Sequence, residues 1–168
     1  MKRILIMGCA GCGKSTLAKE LGTILNLPVY HLDVYYWQPG WVETEKEEFI
    51  AKQEEILKTD EWIIDGNYRS TLDLRLAKAD YIIFLDYRRS VALKGVIKRY
   101  FKYRNKTRDS ITIGCEEKID REFLKWVWNF KKDAKPILMQ KINEHPDIPM
   151  LTFKNRRSLK KYLTNLKK

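Results

Sequence analysis

The sequence has three cysteines, few glycines and prolines, and no long apolar run. An odd number of cysteines argues against a disulfide framework. No apolar segment approaches the ~20 residues that a membrane span requires. The first apolar segment is also too short for a secretory signal peptide, which needs a cleavage site of small residues. We therefore expect a cytoplasmic protein that does not contact a membrane.

With 168 residues, of which 44% are hydrophobic, the chain can form one globular core. No repeat or low-complexity segment marks a boundary, so we expect a single domain over residues 1–168, with a lid inserted at roughly 104–118. The formal net charge is +11. This surplus favours anionic partners such as nucleotides, nucleic acids or acidic surfaces, and does not choose among them.

The stretch that organises the chain fits the P-loop pattern G-x-x-x-x-G-K-[ST]. An apolar segment precedes it and apolar residues at helical spacing follow it, which is the strand–loop–helix context that the motif requires. Its glycines let backbone N–H groups turn toward a phosphate, and the helix N-terminus favours the same anion. Lys14 is predicted to reach the β- and γ-phosphates and Ser15 to ligate Mg²⁺. The alternative is a plain glycine turn. The candidate nucleotide-binding residues of this loop are Gly8, Cys9, Ala10, Gly11, Cys12, Gly13, Lys14, Ser15 and Thr16.

Cys9 and Cys12 form a C-x-x-C pair inside the P-loop. This spacing also suits a redox or metal-binding pair, but no second C-x-x-C and no nearby histidine completes a zinc site. We interpret both cysteines as filler positions of the phosphate loop. A further hypothesis is that their oxidation blocks nucleotide binding.

Apolar segments alternate with segments of helical periodicity, which predicts a three-layer α/β fold with a five-stranded parallel sheet flanked by helices. Residues 34–41 are predicted to form a loop that turns at Pro39-Gly40. The predicted strands are residues 4–7, 28–32, 62–64, 81–85 and 149–153. The predicted helix caps are a Thr44–Glu47 capping box, Ser90, Asp120 and Ser158.

Ligands of parallel α/β sheets bind outside the carboxyl ends of the strands, where this sequence has three acids. Asp65 ends an apolar strand, as a Walker-B acid does, and is predicted to hold Mg²⁺ directly or through water. Asp33 is predicted either to deprotonate or orient an acceptor hydroxyl, or to cap the following turn. Asp86 is predicted to pair with Arg88 or Arg89, which follow it closely.

A basic run with interleaved aromatic residues follows the fourth predicted strand. It has three interpretations: a solvated helix face, a lid whose arginines close over the transferring phosphates, or a nucleic-acid surface. Its position before a polar segment favours the lid. Trp37 and Trp41, in the loop after Asp33, are predicted to floor an acceptor pocket. The basic residues are Lys94, Lys98, Arg99, Lys102, Arg104, Lys106 and Arg108.

The sequence resembles the small P-loop kinases, which include adenylate kinase and shikimate kinase. Residues 62–69, Trp-Ile-Ile-Asp-Gly-Asn-Tyr-Arg, resemble the adenylate-kinase stretch apolar-apolar-Asp-Gly-Phe-Pro-Arg. A closer match is the bacterial topology modulation family, FlaR-like proteins described as related to adenylate kinase. The segments that carry this match are residues 31–33, 37–41, 65–68, 107–109, 114–115 and 122–128.

The resemblance implies a sheet order of 2-3-1-4-5, in the numbering of the predicted strands. It implies that Arg69 grips an acceptor phosphate and that Arg99 lies at the base of the lid. Arg104 and Arg108 would be lid arginines by position. The lid lacks the paired cysteines of zinc-containing adenylate kinases, so no structural zinc is implied.

The resemblance also bears on the two ligands. Asn155 and Arg156, after the fifth predicted strand, would lie near the nucleotide base. Tyr68 stands where adenylate kinases have proline. Asp33 is similar to the strand-end acid of shikimate and gluconate kinases, which meets a substrate hydroxyl. The family name implies an effect on DNA topology.

Together these features predict an ATP- and Mg²⁺-dependent phosphotransferase that acts on a small acceptor. The alternative is a P-loop protein that binds DNA or regulates its topology through the surplus positive charge. The predicted catalytic residues are Lys14, Asp33, Arg99, Arg104 and Arg108. The predicted acceptor-binding residues are Asp33, Trp37, Asp65 and Arg69. The predicted magnesium ligands are Ser15 and Asp65.

Overall fold

A computed structural model describes residues 1–104 and 106–167 of the chain. No helix within these ranges is both long enough and apolar enough to pass through a membrane. A 3₁₀ turn, Arg69–Thr71, precedes the fourth helix. The strands are β1 (Arg3–Gly8), β2 (Val29–His31), β3 (Trp37–Gln38), β4 (Val42–Glu43), β5 (Trp62–Asp65), β6 (Tyr81–Leu85) and β7 (Met150–Phe153). The helices are α1 (Lys14–Leu25), α2 (Leu32–Tyr36), α3 (Lys46–Leu57), α4 (Leu72–Leu76), α5 (Arg89–Tyr103), α6 (Arg121–Asp133), α7 (Lys135–Asn143) and α8 (Arg156–Leu166).

The central sheet is parallel, with the strand order β2-β5-β1-β6-β7. This confirms the predicted order, since the predicted strands correspond in sequence to β1, β2, β5, β6 and β7. Residues Ile4, Leu5 and Ile6 of β1 are at most 1% exposed, because neighbouring strands pair with both edges of β1 and helices cover both faces. The register places Asp65 beside Ile6 on one side and beside His31 on the other. The ends of β1, β2 and β5 therefore meet at one edge of the sheet.

The segment after β2 differs from the prediction. β2 is shorter than the predicted strand 28–32, and residues 34–41 contain most of helix α2 and part of an antiparallel β3–β4 hairpin, where a loop was predicted. The chain turns early because Leu32 is fully buried and packs closely against Gly66. Such a tertiary contact cannot be recognised from a run of consecutive apolar residues in the sequence. The predicted turn at Pro39-Gly40 closes the hairpin, and Gly40 has a φ of 79°.

The helix caps were predicted with mixed success. The side chain of Asp120 accepts a hydrogen bond from the backbone N–H three residues later, which confirms that cap. Thr44 precedes α3 without capping it, and its backbone N–H bonds to the end of α2 instead. Ser90 lies inside the first turn of α5. Asn155, rather than Ser158, caps α8, because Asn155 Oδ1 accepts the Ser158 N–H at 2.9 Å.

Candidate active site

A cleft of about 1080 Å³ opens along the carboxyl edge of the sheet. A neighbouring pocket of about 480 Å³ shares Gly13, Thr16 and Arg156 with it. Most of the predicted site residues therefore lie around one connected space. Those that line the cleft are Ala10, Gly11, Gly13, Lys14, Ser15, Thr16, Asp33, Trp37, Asp65, Arg69, Arg99, Arg108 and Arg156.

The P-loop connects β1 to α1 through three glycines with left-handed backbones. The φ angles of Gly8, Gly11 and Gly13 are 141°, 76° and 93°. Gly13 is the N-cap of α1, so the loop leads directly to a helix N-terminus whose first N–H groups have no partner within the helix. Lys14 Nζ donates to Cys9 O at 3.1 Å, which folds the lysine back over the loop. The loop thus concentrates positive charge where an anion would bind.

The segment after β5 is tied to the P-loop by Asn67, whose role the sequence analysis missed. Asn67 Oδ1 accepts the Gly8 N–H at 3.1 Å, and Asn67 Nδ2 donates to Gly8 O at 2.9 Å. Arg75 is fully buried and donates to the backbone oxygens of Asn67 and Tyr68 at 2.9 and 3.0 Å. Burial lowers the pKa of Arg75 to about 9, so the guanidinium still carries its charge at neutral pH. The position of Asn67, two residues after a strand-end acid, was the available signal.

The predicted magnesium ligands lie together. Ser15 Oγ donates to Asp65 Oδ2 at 2.7 Å, and His31 Nδ1 lies 2.5 Å from Asp65 Oδ1. The side chains of His31 and Asp65 are 10% and 5% exposed. Hydroxyl and carboxylate oxygens suit Mg²⁺, which commonly takes its remaining ligands from phosphates and water, so the pair fits this ion. The sequence analysis assigned no role to His31, although it ends the strand next to β5.

The carboxylate of Asp33, which lines the cleft, is held from two directions. Tyr68 OH donates to Asp33 Oδ1 at 2.7 Å, and Arg108 Nη2 donates to Asp33 Oδ2 at 3.3 Å. Burial, reinforced by the charge of Asp33, raises the pKa of Tyr68, so the phenol remains a hydrogen-bond donor. The Asp33 side chain is 37% exposed and reachable from the cleft. Tyr68 thus orients the carboxylate of Asp33.

A protein-family model matches most of this chain. Residues 4–125 match the model of a family described as AAA domain. The chain belongs to this AAA-domain family. The matched range runs from β1 into α6 and includes the P-loop, Asp33, Asp65 and Arg108. No curated protein matches the chain.

Solved structures share the fold of this AAA domain. Shikimate kinase from Bacteroides thetaiotaomicron is 17% identical with a TM-score of 0.58, over 98% of this chain and 95% of that one. Shikimate kinase from Acinetobacter baumannii, in complex with shikimate, is 14% identical with a TM-score of 0.57, over 98% and 94%. A gluconokinase from Sinorhizobium meliloti is 14% identical with a TM-score of 0.54, over 98% and 89%. The AAA domain therefore has the α/β fold of P-loop kinases.

The arginines of the predicted lid do not act as one group in the AAA domain. Arg99 and Arg108 line the cleft and both contact Glu117, a residue that the sequence analysis passed over. Arg104 follows the last residue of α5, is exposed, and is not among the cleft-lining residues of the described chain. α5 lines the cleft as far as its last residue, Tyr103, so Arg104 stands beside the cleft without lining it, and its catalytic role stays a prediction. Arg69 lies in the 3₁₀ turn at the cleft and is exposed.

The predicted lid is attached to the β3–β4 hairpin. We expected residues 104–118 to close over phosphates, and residues 114–116 of this range bond to the hairpin. Lys19 of α1 also pairs with Asp109 of the lid at 2.8 Å. The bonds between lid and hairpin are Gly40 N–H to Gly114 O (3.0 Å), Trp41 Nε1–H to Glu116 O (2.9 Å) and Cys115 Sγ–H to Gln38 O (3.1 Å).

Aromatic side chains line the cleft beside Asp33. Trp37 and Trp41, predicted to floor an acceptor pocket, both line the cleft, and their ring centroids lie 5.4 Å apart. Tyr36 packs edge-on against Trp37 at 4.9 Å and lies 4.7 Å from Tyr68. The rings form a continuous apolar surface next to the carboxylate.

The residues after β6 and β7 differ in their relation to the cleft. Asp86 pairs with Lys131 and Lys135 of α6 and α7 at 3.0 and 2.8 Å, so the predicted pairing with the adjacent arginines is wrong. The fold brings these two lysines closer to Asp86 than the arginines that follow it in sequence. Arg156 lines both the cleft and the neighbouring pocket, whereas the side chain of Asn155 is used to cap α8.

The P-loop of the AAA domain packs directly on α5 at Gly95. A Cβ on Gly95 would lie 2.0 Å from Gly11 O, which is backbone and cannot rotate away. We expect Gly95→Ala to destabilise the protein by about 1–3 kcal/mol through overpacking, although alanine has the better helix propensity by up to ~1 kcal/mol. Urea unfolding measures the change. Ser90→Ala, in the exposed first turn of the same helix, is the control, and equal stability of both variants would contradict the prediction.

The C-x-x-C pair of the P-loop offers a redox test. A hydrogen bond from the Cys9 thiol lowers the pKa of Cys12 to about 7, against the opposing effect of burial. The Cys12 N–H donates to Cys9 O at 3.4 Å, so the two cysteines lie in one tight turn of the loop. The test uses a Cys115→Ser background, in which we expect diamide to take two hydrogen atoms from the Cys9–Cys12 pair. This oxidation should become faster as the pH rises through about 7. It should weaken Mg·ATP binding, and a reductant should reverse the effect. The Cys9→Ser variant should keep its Mg·ATP affinity in diamide. If the oxidised protein binds Mg·ATP as tightly as the reduced protein, the hypothesis is wrong.

Proposed function

We propose that this AAA domain is an ATP- and Mg²⁺-dependent kinase that transfers a γ-phosphoryl group to a hydroxyl of a small acceptor. One observation carries the proposal: Lys14, the Ser15–Asp65 pair and the buttressed carboxylate of Asp33 line the same cleft. A P-loop alone binds nucleotides in many classes of protein. A carboxylate across the cleft adds a group that can take a proton from an acceptor. The fold shared with shikimate kinase and gluconokinase agrees with this choice.

On the nucleotide side, the P-loop N–H groups and Lys14 bind the β- and γ-phosphates. Ser15 and Asp65 hold Mg²⁺, which when bound offsets phosphate charge and favours transfer. His31 keeps the Asp65 carboxylate oriented from the far side. Arg156 faces the neighbouring pocket, where we infer that the nucleotide base binds.

On the acceptor side, Asp33 orients the hydroxyl and accepts its proton as the oxygen attacks the γ-phosphorus. The new O–P bond forms while the bond from the γ-phosphorus to the β,γ-bridging oxygen breaks, and ADP leaves with that oxygen. Arg99 and Arg108 neutralise the charge that shifts during transfer. Because little covalent chemistry is asked of the protein, catalysis depends on positioning and charge.

The acceptor is proposed to bind between Asp33 and the aromatic surface of Trp37, with Arg69 available for an anionic group of the acceptor. Among the P-loop kinases, residues 37–41 and 122–128 favour a relationship to the bacterial topology modulation family. We propose ATP and Mg²⁺ as the donor and its ion, and the cytoplasm as the location, on the same sequence grounds.

Two measurements test the kinase proposal. The first is titration of the purified protein with Mg·ATP and Mg·GTP, followed by tryptophan fluorescence. The second is a screen for ADP release with polyols, hydroxy acids, nucleosides and nucleoside monophosphates as acceptors. We expect saturable nucleotide binding and ADP release that requires one acceptor class. The proposal is overturned if the protein binds neither Mg·ATP nor Mg·GTP.

Nucleic-acid binding is a second candidate, favoured by one observation. Phe101 is 70% exposed and Ile97 is 43% exposed on a face of α5 that also carries exposed lysines. If this face binds duplex DNA, the affinity should fall steeply as salt increases, because bound counterions are released. A filter-binding titration from low salt to ~150 mM measures this dependence. Weak binding that does not change with salt removes the candidate.

A further inference from the structure

Glu117 is a buried acid at the cleft to which neither the motif nor the resemblance assigns a role. Its side chain is 3% exposed, although it lies in the polar lid segment and lines the cleft. Buried carboxylates are costly unless they are paired and hydrogen-bonded. The partners of Glu117 therefore indicate what it is for.

The two carboxylate oxygens of Glu117 face two different arginines. Oε1 accepts from Arg99 Nε at 2.6 Å, and Oε2 lies 3.4 Å from Arg108 Nε. Both contacts use the Nε side of a guanidinium, which leaves the terminal nitrogens for other partners. Arg108 Nη2 uses one of them to reach Asp33 at 3.3 Å. Arg108 thus lies between Glu117 and Asp33, the proposed proton acceptor.

Two guanidinium groups held this close repel one another. Burial lowers the pKa of Arg99, and the neighbouring charge of Arg108 lowers it further, while Glu117 and Asp33 act in the opposite direction. Arg99 and Arg108 are only 21% and 12% exposed, so water screens the repulsion poorly. Without the anion between them, the arginines would separate or turn toward solvent.

We propose that Glu117 is a positioning residue that holds Arg99 and Arg108 as a pair, with their terminal nitrogens directed at the γ-phosphoryl group beside Asp33. The inference rests on the proposed function, and it goes beyond it by naming the group on which the arginine geometry depends. Glu117 itself does not touch the nucleotide. Its effect should therefore appear in contacts to the third phosphate and be small in contacts to the first two.

The test compares two probes that differ by one phosphoryl group. Dissociation constants for Mg·ADP and for the Mg²⁺ complex of the β,γ-imido analogue of ATP are measured by tryptophan fluorescence with wild type, Glu117→Gln and Glu116→Gln. Glutamine keeps the size of the side chain and removes its charge. Glu116 is the matched control because it is adjacent, and its side chain is exposed.

For Glu117→Gln we expect affinity for the imido analogue to fall on the order of tenfold, as when a charged hydrogen bond is misplaced, while Mg·ADP affinity changes less than about twofold. Glu116→Gln should match wild type with both probes. Equal affinity of Glu117→Gln and wild type for both probes overturns the inference. An equal loss with both probes also overturns it, since that result indicates a structural anchor of the lid.

A double-mutant cycle separates positioning from general damage. If Glu117 acts through the arginines, Glu117→Gln should cost much less in an Arg99→Met, Arg108→Met background than in wild type. Undiminished cost in that background overturns the inference. Failure of wild type itself to bind Mg·ADP is a different result, because it removes the proposed function and the inference together.

Discussion

Replacing Lys14 with alanine is expected to reduce Mg·ATP affinity by at least about a hundredfold, since charged hydrogen bonds to two phosphates are lost. Lys14 is partly buried and donates to Cys9 O, which holds its side chain over the loop. Isothermal titration calorimetry measures the change. The backbone cradle and the Ser15–Asp65 pair remain, and a folded variant should therefore keep its unfolding midpoint.

Lys19→Ala is the control for this experiment. Lys19 follows on the same helix and lines the same cleft, but it pairs with the highly exposed Asp109. Exposed ion pairs contribute little to stability. We therefore expect the Mg·ATP affinity of the Lys19→Ala variant to differ from that of wild type by only a few-fold. Equal affinities of Lys14→Ala and wild type would refute the assignment of the phosphate site.

Asp33→Asn should lower phosphoryl transfer by ~10²–10⁴ and leave Mg·ATP affinity unchanged. Asparagine can still accept the hydrogen bond from Tyr68, so the side chain stays in place, but it cannot take up the acceptor proton. The rate is measured as ADP release with the acceptor that the screen identifies, under single-turnover conditions. The separation between binding and transfer is the informative result.

Tyr68→Phe distinguishes orientation from proton transfer. It removes the donor to Asp33 Oδ1 and leaves the carboxylate with Arg108, so we expect a smaller loss than with Asp33→Asn. If Asp33→Asn transfers phosphoryl groups at the wild-type rate, Asp33 is not the base. Its role would then be limited to holding Arg108.

The sheet and the phosphate loop could be predicted because their signals are contiguous. Strands buried on both faces are uninterrupted apolar runs, and the P-loop is one uninterrupted motif. The strand order came from the resemblance, since apolar runs carry no information about which strands are neighbours. The ends of elements were less predictable, as the early turn at Leu32 shows, because packing decides them.

The supporting residues could not be predicted because their partners are distant in sequence. Asn67 meets Gly8 across 59 residues, and its position after a strand-end acid does not reveal that partner. Glu117 is one acid in a polar segment until the fold brings it between two arginines. In the sequence, Gly95 is an ordinary glycine within a helix. In the structure, the backbone of the P-loop packs so closely on Gly95 that no side chain fits there. Candidate site residues could be named from their type and position, whereas the groups that hold them could not.

The bonds between residues 114–116 and the β3–β4 hairpin bear on the proposed turnover. If an acceptor binds beside Asp33 as proposed, a flap bonded to the hairpin through the carbonyls of Gln38, Gly114 and Glu116 would move together with it, so the entry for the acceptor and the cover over the transferring group would open and close in one movement. An arriving acceptor would then act on Arg108, which the flap carries and which bonds to Asp33. On the proposed function, hydrolysis of ATP by water should therefore be slow in the absence of acceptor.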